Sequence, residues 1–292
     1  MLDNRYETFL VLCGTLSYTK TAQSLFVTQP AVTQHIKFLE SRYGTKLFTY
    51  AGKRLALTEK GIELKKYVSE MKRNAIQIEN LMRAPAGRPA FRIGATRTIG
   101  EYVIPRILKA YLEQNADMDA DMYVDNTQVL LNMLDRGEID FALLEGFFDK
   151  SAYEYRLLKK EKFIGVCSPL SHLCGSKWKL DELLNERIIV RERGSGTREI
   201  IEQILQQHSL GLAGFAHESQ ISNFAAIKEL VRDNAGITFL YRPAAEKELA
   251  EGSLCEIDMD DFAIQREFNF VMPRNALLAD EYLGFYTFCA GM

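Results

Sequence analysis

The chain has 292 residues, 47% apolar and 26% charged; this is an ordinary globular balance, long enough for more than one domain, and excludes a disordered or fibrous protein. No run approaches the ~18 uncharged apolar residues that cross a bilayer, and Met1-Leu2-Asp3-Asn4-Arg5 lacks an apolar export segment, so a cytoplasmic location without membrane contact is expected. The net charge of −3 speaks against nucleic acid only until it is divided: residues 1–84 hold 13 Lys/Arg against 7 Asp/Glu, or +6, and the remainder carries −9.

A basic head on an acidic body suits a DNA-binding module fused to a separate sensor. Leu2, Tyr6, Phe9 and Cys13 recur at helical spacing, with Leu10 widening the stripe, which predicts a first helix with one buried face. Ser17 can cap a short second helix, Tyr18 to Leu25, and Phe26-Val27 makes a tight turn. Thr28 caps a third helix with Pro30 in its first turn, where a missing N–H costs nothing.

On that third helix Val32, Ile36 and Leu39 point inward, leaving Gln29, Thr33, Gln34 and Lys37 on the opposite face beside small Ala31. Such a face can enter the major groove of duplex DNA: Gln can bond an adenine edge twice, and Lys meets phosphate or guanine. Gly44 ends the helix. Lys46 to Tyr50 and Arg54 to Leu57 then read as a hairpin around Ala51-Gly52-Lys53, with Lys53 and Arg54 set to touch phosphate.

The run Ser17-Tyr18-Thr19-Lys20-Thr21-Ala22, Leu25, Val27-Thr28-Gln29-Pro30-Ala31-Val32-Thr33, Ile36, Leu39-Glu40, Gly44, Leu47-Phe48 and Leu57-Thr58-Glu59-Lys60-Gly61 resembles the LysR-type transcriptional regulators over about 60 residues without a gap. The resemblance implies a winged helix-turn-helix over 1–58 and a DNA-contacting set of Ser17, Thr19, Lys20, Thr28, Gln29, Pro30, Ala31, Thr33, Gln34, Lys37, Lys53 and Arg54. Leu16 replaces the family's usual glycine, Gln34 a basic residue and Tyr50 an arginine. The last two changes remove expected phosphate contacts and should weaken non-specific binding.

Thr58 can cap a long helix over 59–84, on which Leu64, Val68, Met71, Ala75, Ile78 and Met82 repeat at heptad spacing. The head is too small to cover ~37 Å of helix, so this stripe predicts a dimer, and two-fold DNA half-sites match one. Pro85 and Pro89 make 85–90 a hinge.

From Phe91 short apolar strands alternate with helices. Strands are expected at 91–95, 122–124, 141–144, 163–167, 188–191, 215–218, 236–241 and 268–272; helices are expected at 99–114, 128–136, 198–208, 223–233 and from Leu277. The alternation predicts an α/β body of parallel sheets covered by helices. Ile93-Gly94-Ala95-Thr96, Ile104-Pro105, Arg136-Gly137-Glu138-Ile139-Asp140-Phe141-Ala142, Arg191-Glu192-Arg193-Gly194-Ser195-Gly196-Thr197-Arg198 and Gly236-Ile237 resemble the same family's effector-binding domain. The resemblance implies a two-lobed, periplasmic-binding-protein-like (type 2) domain over 91–292, with lobe I at 91–161 and 267–292 and lobe II at 162–266.

Parallel sheets bind ligands beyond the carboxyl ends of their strands, at helix N-termini that favour anions. The loops there nominate Thr96, Arg97, Thr98, Glu145, Phe147, Ser195, Gly196, Thr197 and Asn223 for an anionic or carboxylate small-molecule effector. A Ser, Thr or Asn in such a place is more often a plain helix cap, which leaves open a regulator with no small-molecule ligand that acts through oligomer contacts. The partners expected are double-stranded operator DNA, the effector, a second copy as dimer or tetramer, and RNA polymerase.

Catalysis is not expected. There is no Gly-x-Ser-x-Gly elbow, His35, His172, His208 and His217 pair with no nucleophile, and no spacing suggests a metal or other cofactor. The five cysteines, Cys13, Cys167, Cys174, Cys255 and Cys289, form no Cys-x-x-Cys pair and read as reduced, buried thiols.

Overall fold

The computed structural model describes residues 3–52, 54–83 and 90–292. They form two compact units, one built mainly from the elements up to Arg83 and the other mainly from those after Ala90. Lys53 and segment 85–89 of the expected hinge lie outside the described residues.

The first unit packs α1 (Asn4–Thr15), α2 (Tyr18–Ser24) and α3 (Gln29–Tyr43) with an antiparallel hairpin, β1 (Phe48–Ala51) and β2 (Arg54–Leu57), and the start of α4 (Glu59–Arg83). The caps are local. Ser17 Oγ accepts from the Lys20 N–H and Thr28 Oγ1 from the Ala31 N–H, while Gly44 closes α3 at φ 64°. Phe9, Leu12, Ile36, Leu39, Leu47, Phe48 and Leu55 form one core. Thr58 Oγ1 accepts from the Gly61 N–H and donates to the Lys46 carbonyl, pinning α4 to the wing. Only glycine fits at 61, because a Cβ would collide with the Leu47 carbonyl.

The stripe on α4 is divided. Val68 is buried in the core of the first unit and Leu64 packs against it, so these two need no second chain, contrary to the expectation for the whole stripe. Met71, Ile78 and Met82 are exposed.

In the second unit β3 (Ala90–Thr96), α5 (Ile104–Gln114), β4 (Asp119–Asp125), α6 (Thr127–Arg136) and β5 (Phe141–Glu145) make a parallel α/β layer, β3 pairing with both β4 and β5. A π-helical stretch, Ile99–Val103, precedes α5. Pro105 in the first turn of α5 has no N–H for the usual bond, which is one reason the expected helix over 99–114 is not uniform.

Next come β6 (Tyr153–Cys167), β7 (Lys177–Trp178), β8 (Arg187–Val190), α7 (Gly196–Gln207), β9 (His217–Gln220), α8 (Phe224–Arg232), β10 (Thr238–Tyr241), α9 (Arg242–Ala250), β11 (Cys255–Glu256), β12 (Asp258–Met259), β13 (Ile264–Pro273) and α10 (Ala279–Ala290).

The sheet is not purely parallel. Its order is β10-β6-β13-β5-β3-β4, with β6 and β13 as long antiparallel strands and β11 added to β6. β6 starts ten residues before the expected strand at 163–167, because charged Lys159, Lys160, Glu161 and Lys162 obscure the apolar signal of 153–162. β8 and β9 pair in parallel, and the Ile189 N–H donates to the Ile237 carbonyl at 2.8 Å just before β10. Phe91, Phe141, Phe270, Tyr282 and Phe285 fill the core beside β5.

The cysteine expectation is corrected. Cys174 and Cys255 form a disulfide across 81 residues, because β11 lies along β6 and brings Cys255 to the loop after that strand. Cys13, Cys167 and Cys289 are free and buried, and burial pushes their thiols up to about 12, 11 and 12. Among the described residues no helix is long and apolar enough to cross a membrane.

Candidate functional site

Two places in the chain gather the nominated residues. In the first unit α3 presents Gln29, Pro30, Gln34 and Lys37 as exposed, with Ala31 and Thr33 half-buried beside them. The Thr33 hydroxyl donates to the Gln29 carbonyl at 3.1 Å, so it is engaged within its own helix. Ser17 and Thr28 act as caps, Thr19 and Lys20 are exposed on α2, and Arg54 is exposed on the wing.

His35, on the same helix, turns away: its Nδ1 bonds the Thr8 hydroxyl at 2.8 Å. Sequence reasoning did not single out Phe26. It is 96% exposed at φ 54° in the turn before α3, an unusual position for an aromatic side chain.

The second place is a cavity of about 20 Å³ at the carboxyl ends of β3, β4, β5 and β8. It is lined by Thr96, Arg97, Glu145, Ser195, Gly196 and Thr197, all nominated, and by Asp125, Asn126, Thr127, Arg191 and Glu192, which were not. A space of that size holds about one water-sized group.

Gly196 and Thr197 open α7, a three-turn helix, and Ser195 precedes it without using its hydroxyl as a cap. The N–H groups of that first turn have no partners within the helix, and the helix dipole favours negative charge there.

Glu145 ends β5 and is buried. Thr98 Oγ1 donates to its Oε1 at 3.0 Å, its N–H donates to Thr96 Oγ1 at 3.2 Å, and the Thr127 hydroxyl donates to its carbonyl at 3.2 Å. Its Oε2 has no hydrogen-bond partner. Burial pushes its carboxyl up to about 8 against the weaker opposing pull of Thr98 and Arg191.

Arg191 is buried, forks onto both Glu192 oxygens at 2.8 Å and lies 4.4 Å over the Phe224 ring. Burial opposes the charge on Glu192, but the Arg191 bonds prevail and hold it below the usual range. Arg198 is saturated by Glu202, Glu218, Gln220 and the Arg191 carbonyl, so it buttresses the loop.

Three nominated residues are not on the wall of this cavity. Asn223 caps α8 by accepting from the Ala226 N–H at 2.9 Å, and Phe147 is exposed beside a different depression formed with Lys150 and Arg266. Thr98 is also not on the cavity wall; its hydroxyl donates to Glu145. Arg191 was overlooked because nothing in its local sequence separates a buried arginine from a surface one.

Two family models match the chain: "Bacterial regulatory helix-turn-helix protein, lysR family" over residues 4–62 and "LysR substrate binding domain" over residues 86–291. The uncharacterised HTH-type transcriptional regulator YeiE of Escherichia coli is 29% identical over 287 residues, 97% of this chain and 95% of that protein.

Among solved structures, a full-length OxyR from Pseudomonas aeruginosa covers 99% of this chain and 100% of its own at TM-score 0.60 and 17% identity. The regulatory domain of Synechocystis CcmR in complex with 2-PG covers 70% of this chain and 96% of its own at TM-score 0.62 and 20% identity. At those identities the two structures establish a shared fold.

Proposed function

The chain belongs to the LysR family of DNA-binding transcription regulators that carry a ligand-binding domain, and from that premise we propose that α3 reads operator DNA while a small anionic effector, seated at the mouth of the α7 cavity with one oxygen inside it, controls the response. The family is one of regulators, and a non-enzymatic role follows. The single observation that carries the effector reading is the convergence of the α7 N-terminus, Ser195, Thr96 and Arg97 on one cavity. Hydroxyls, unpartnered N–H groups and a guanidinium together suit an oxyanion. The 2-PG bound by the CcmR regulatory domain is a relevant precedent.

Residues Ser17, Thr19, Lys20, Thr28, Gln29, Pro30, Ala31, Thr33, Gln34, Lys37, Lys53 and Arg54 form the DNA face in this reading. Gln29 and Gln34 address base edges and Lys37, Lys53 and Arg54 the phosphates. Met71, Ile78 and Met82 supply a dimer seam on α4, their exposure being the motive. Paired heads then meet half-sites about 34 Å apart. The regulator works in the cytoplasm as a dimer or tetramer, and effector binding changes the spacing of the heads, hence DNA bending or polymerase contact.

A thermal-shift screen of carboxylates and phosphate esters on the full chain tests this reading. An anion that raises the melting temperature and changes footprint length or bend angle on operator DNA is expected. An unresponsive melting temperature across such a screen would favour a regulator that works through oligomer contacts alone.

A further inference from the structure

We propose that Phe26 reads a base: its ring packs on the C5-methyl group of a thymine in the major groove, beside the bases addressed by the polar face of α3. This deepens the operator-reading role of α3 given above and rests on it.

The backbone at Phe26 is held where a ring is out of place. α2 ends at Ser24, and two bonds wrap its end: the Phe26 N–H donates to the Gln23 carbonyl at 3.3 Å and the Val27 N–H to the Ala22 carbonyl at 3.0 Å. In helix endings of this kind the left-handed residue is usually glycine, sometimes asparagine. Here it is Phe26, at φ 54°. Bulky side chains are disfavoured in that region, and such strain is concentrated where function retains it. Glycine would close the same turn without strain, so the fold has no need of a ring at this place.

Nor does the core use it. Phe26 is 96% exposed, more than any other large apolar side chain among the described residues, and it lies outside the hydrophobic cluster of the first unit. Its apolar surface leaves water only when a partner covers it.

The partner follows from position and chemistry. Residues 26–30 are exposed without a break, and they lead through the Thr28 cap into the first turn of α3. Two residues of chain keep Phe26 within about 7 Å of Thr28, at the end of the helix whose first residues meet base edges in a helix-turn-helix. A phenyl ring has no donor, acceptor or charge, so it serves neither phosphate nor the polar edge of a base. The apolar feature of the major groove is the thymine methyl, and phenylalanine is one of the side chains that suit it. The +6 charge of residues 1–84 draws duplex DNA to this surface.

The test uses the full chain and the duplex beside its own gene, with thymines replaced one at a time by deoxyuridine. Each replacement removes one methyl group and keeps the base pair. At one thymine in each half-site the unaltered chain should lose about fourfold in affinity, the effect of one buried methyl-sized group. Phe26→Gly should bind the all-thymine duplex about tenfold more weakly, because the ring area buried on the base is lost. It should lose nothing more when that thymine is replaced. The two changes are then non-additive at that thymine and additive at the others. The salt slope should stay that of the unaltered chain, since no phosphate contact is removed. Phe26→Gly should melt no lower than the unaltered chain, and Phe26→Ala, which lacks the freedom of glycine, should give the same DNA result.

Additivity at every thymine overturns the methyl contact, as does a melting temperature lowered in both variants, which would place the ring in the fold. Unchanged affinity of both variants, with Gln29→Ala still losing its preference for this duplex, overturns the inference, leaves the reading by α3 standing and assigns the ring to a protein partner. No preference of the unaltered chain for this duplex over random DNA overturns the operator reading and this inference with it.

Discussion

The Thr98 hydroxyl donates to Glu145 Oε1 at 3.0 Å, while the other oxygen of the same buried carboxyl meets no donor. One threonine therefore holds the glutamate in place but does not satisfy it. Thr96 and Thr127 bind the Glu145 backbone and complete its fixation.

That arrangement makes stability depend on pH. Burial raises Glu145 from 4.5 to about 8, so between those values the folded chain binds a proton that the unfolded chain has lost. The contribution is full below the unfolded value and is lost as pH rises through the folded one, at up to about 1.4 kcal/mol per pH unit. Glu145→Gln lacks this loss. The melting temperature of the variant minus that of the unaltered protein should climb from pH 5 to pH 8 and then level off; a constant difference would show that Glu145 is ionised in the fold.

On α3 and the wing, base reading and phosphate anchoring fall to different residues. Gln29→Ala should cost about 1–3 kcal/mol on operator DNA and little on random duplex. Arg54→Ala should weaken both alike and lower the salt slope by about one. Titrations of both variants on both duplexes at three salt concentrations check this, and a uniform loss from Gln29→Ala would move base reading elsewhere.

Leu16 ends α1 at φ 46°, with its N–H bonded to the Leu12 carbonyl. This left-handed cap explains why the family's usual residue here is glycine. A leucine in that conformation costs about 1–2 kcal/mol, part of which glycine returns through greater freedom in the unfolded chain. Leu16→Gly should therefore stabilise the first unit by up to about 1 kcal/mol, read by denaturant unfolding of the full chain.

Alkylation in denaturant without reductant should modify three thiols, Cys13, Cys167 and Cys289, and five after reduction. Five before reduction would deny the Cys174–Cys255 bond.

The head was legible because its signals are local. Thr28, Pro30 and Gly44 mark the ends of α3 within a few residues, and Val32, Ile36 and Leu39 mark its inner face. The candidate anion site was partly legible, since Thr96, Glu145, Ser195 and Thr197 sit where strands hand over to helices. What escaped depends on distant partners. Val68 reads as a seam position but fills the core of the head, Arg191 is buried by Phe224 and Glu192, and Cys255 meets Cys174 only through sheet pairing.

The central claim is that paired copies of this chain present α3 to the major groove of a particular DNA sequence. The direct measurement is sedimentation of the purified chain with the duplex beside its own gene, in competition with random duplex at moderate salt. Two or four chains per duplex and a preference of about a thousandfold or more are predicted. A single chain per duplex with equal affinity for both sequences would contradict the account.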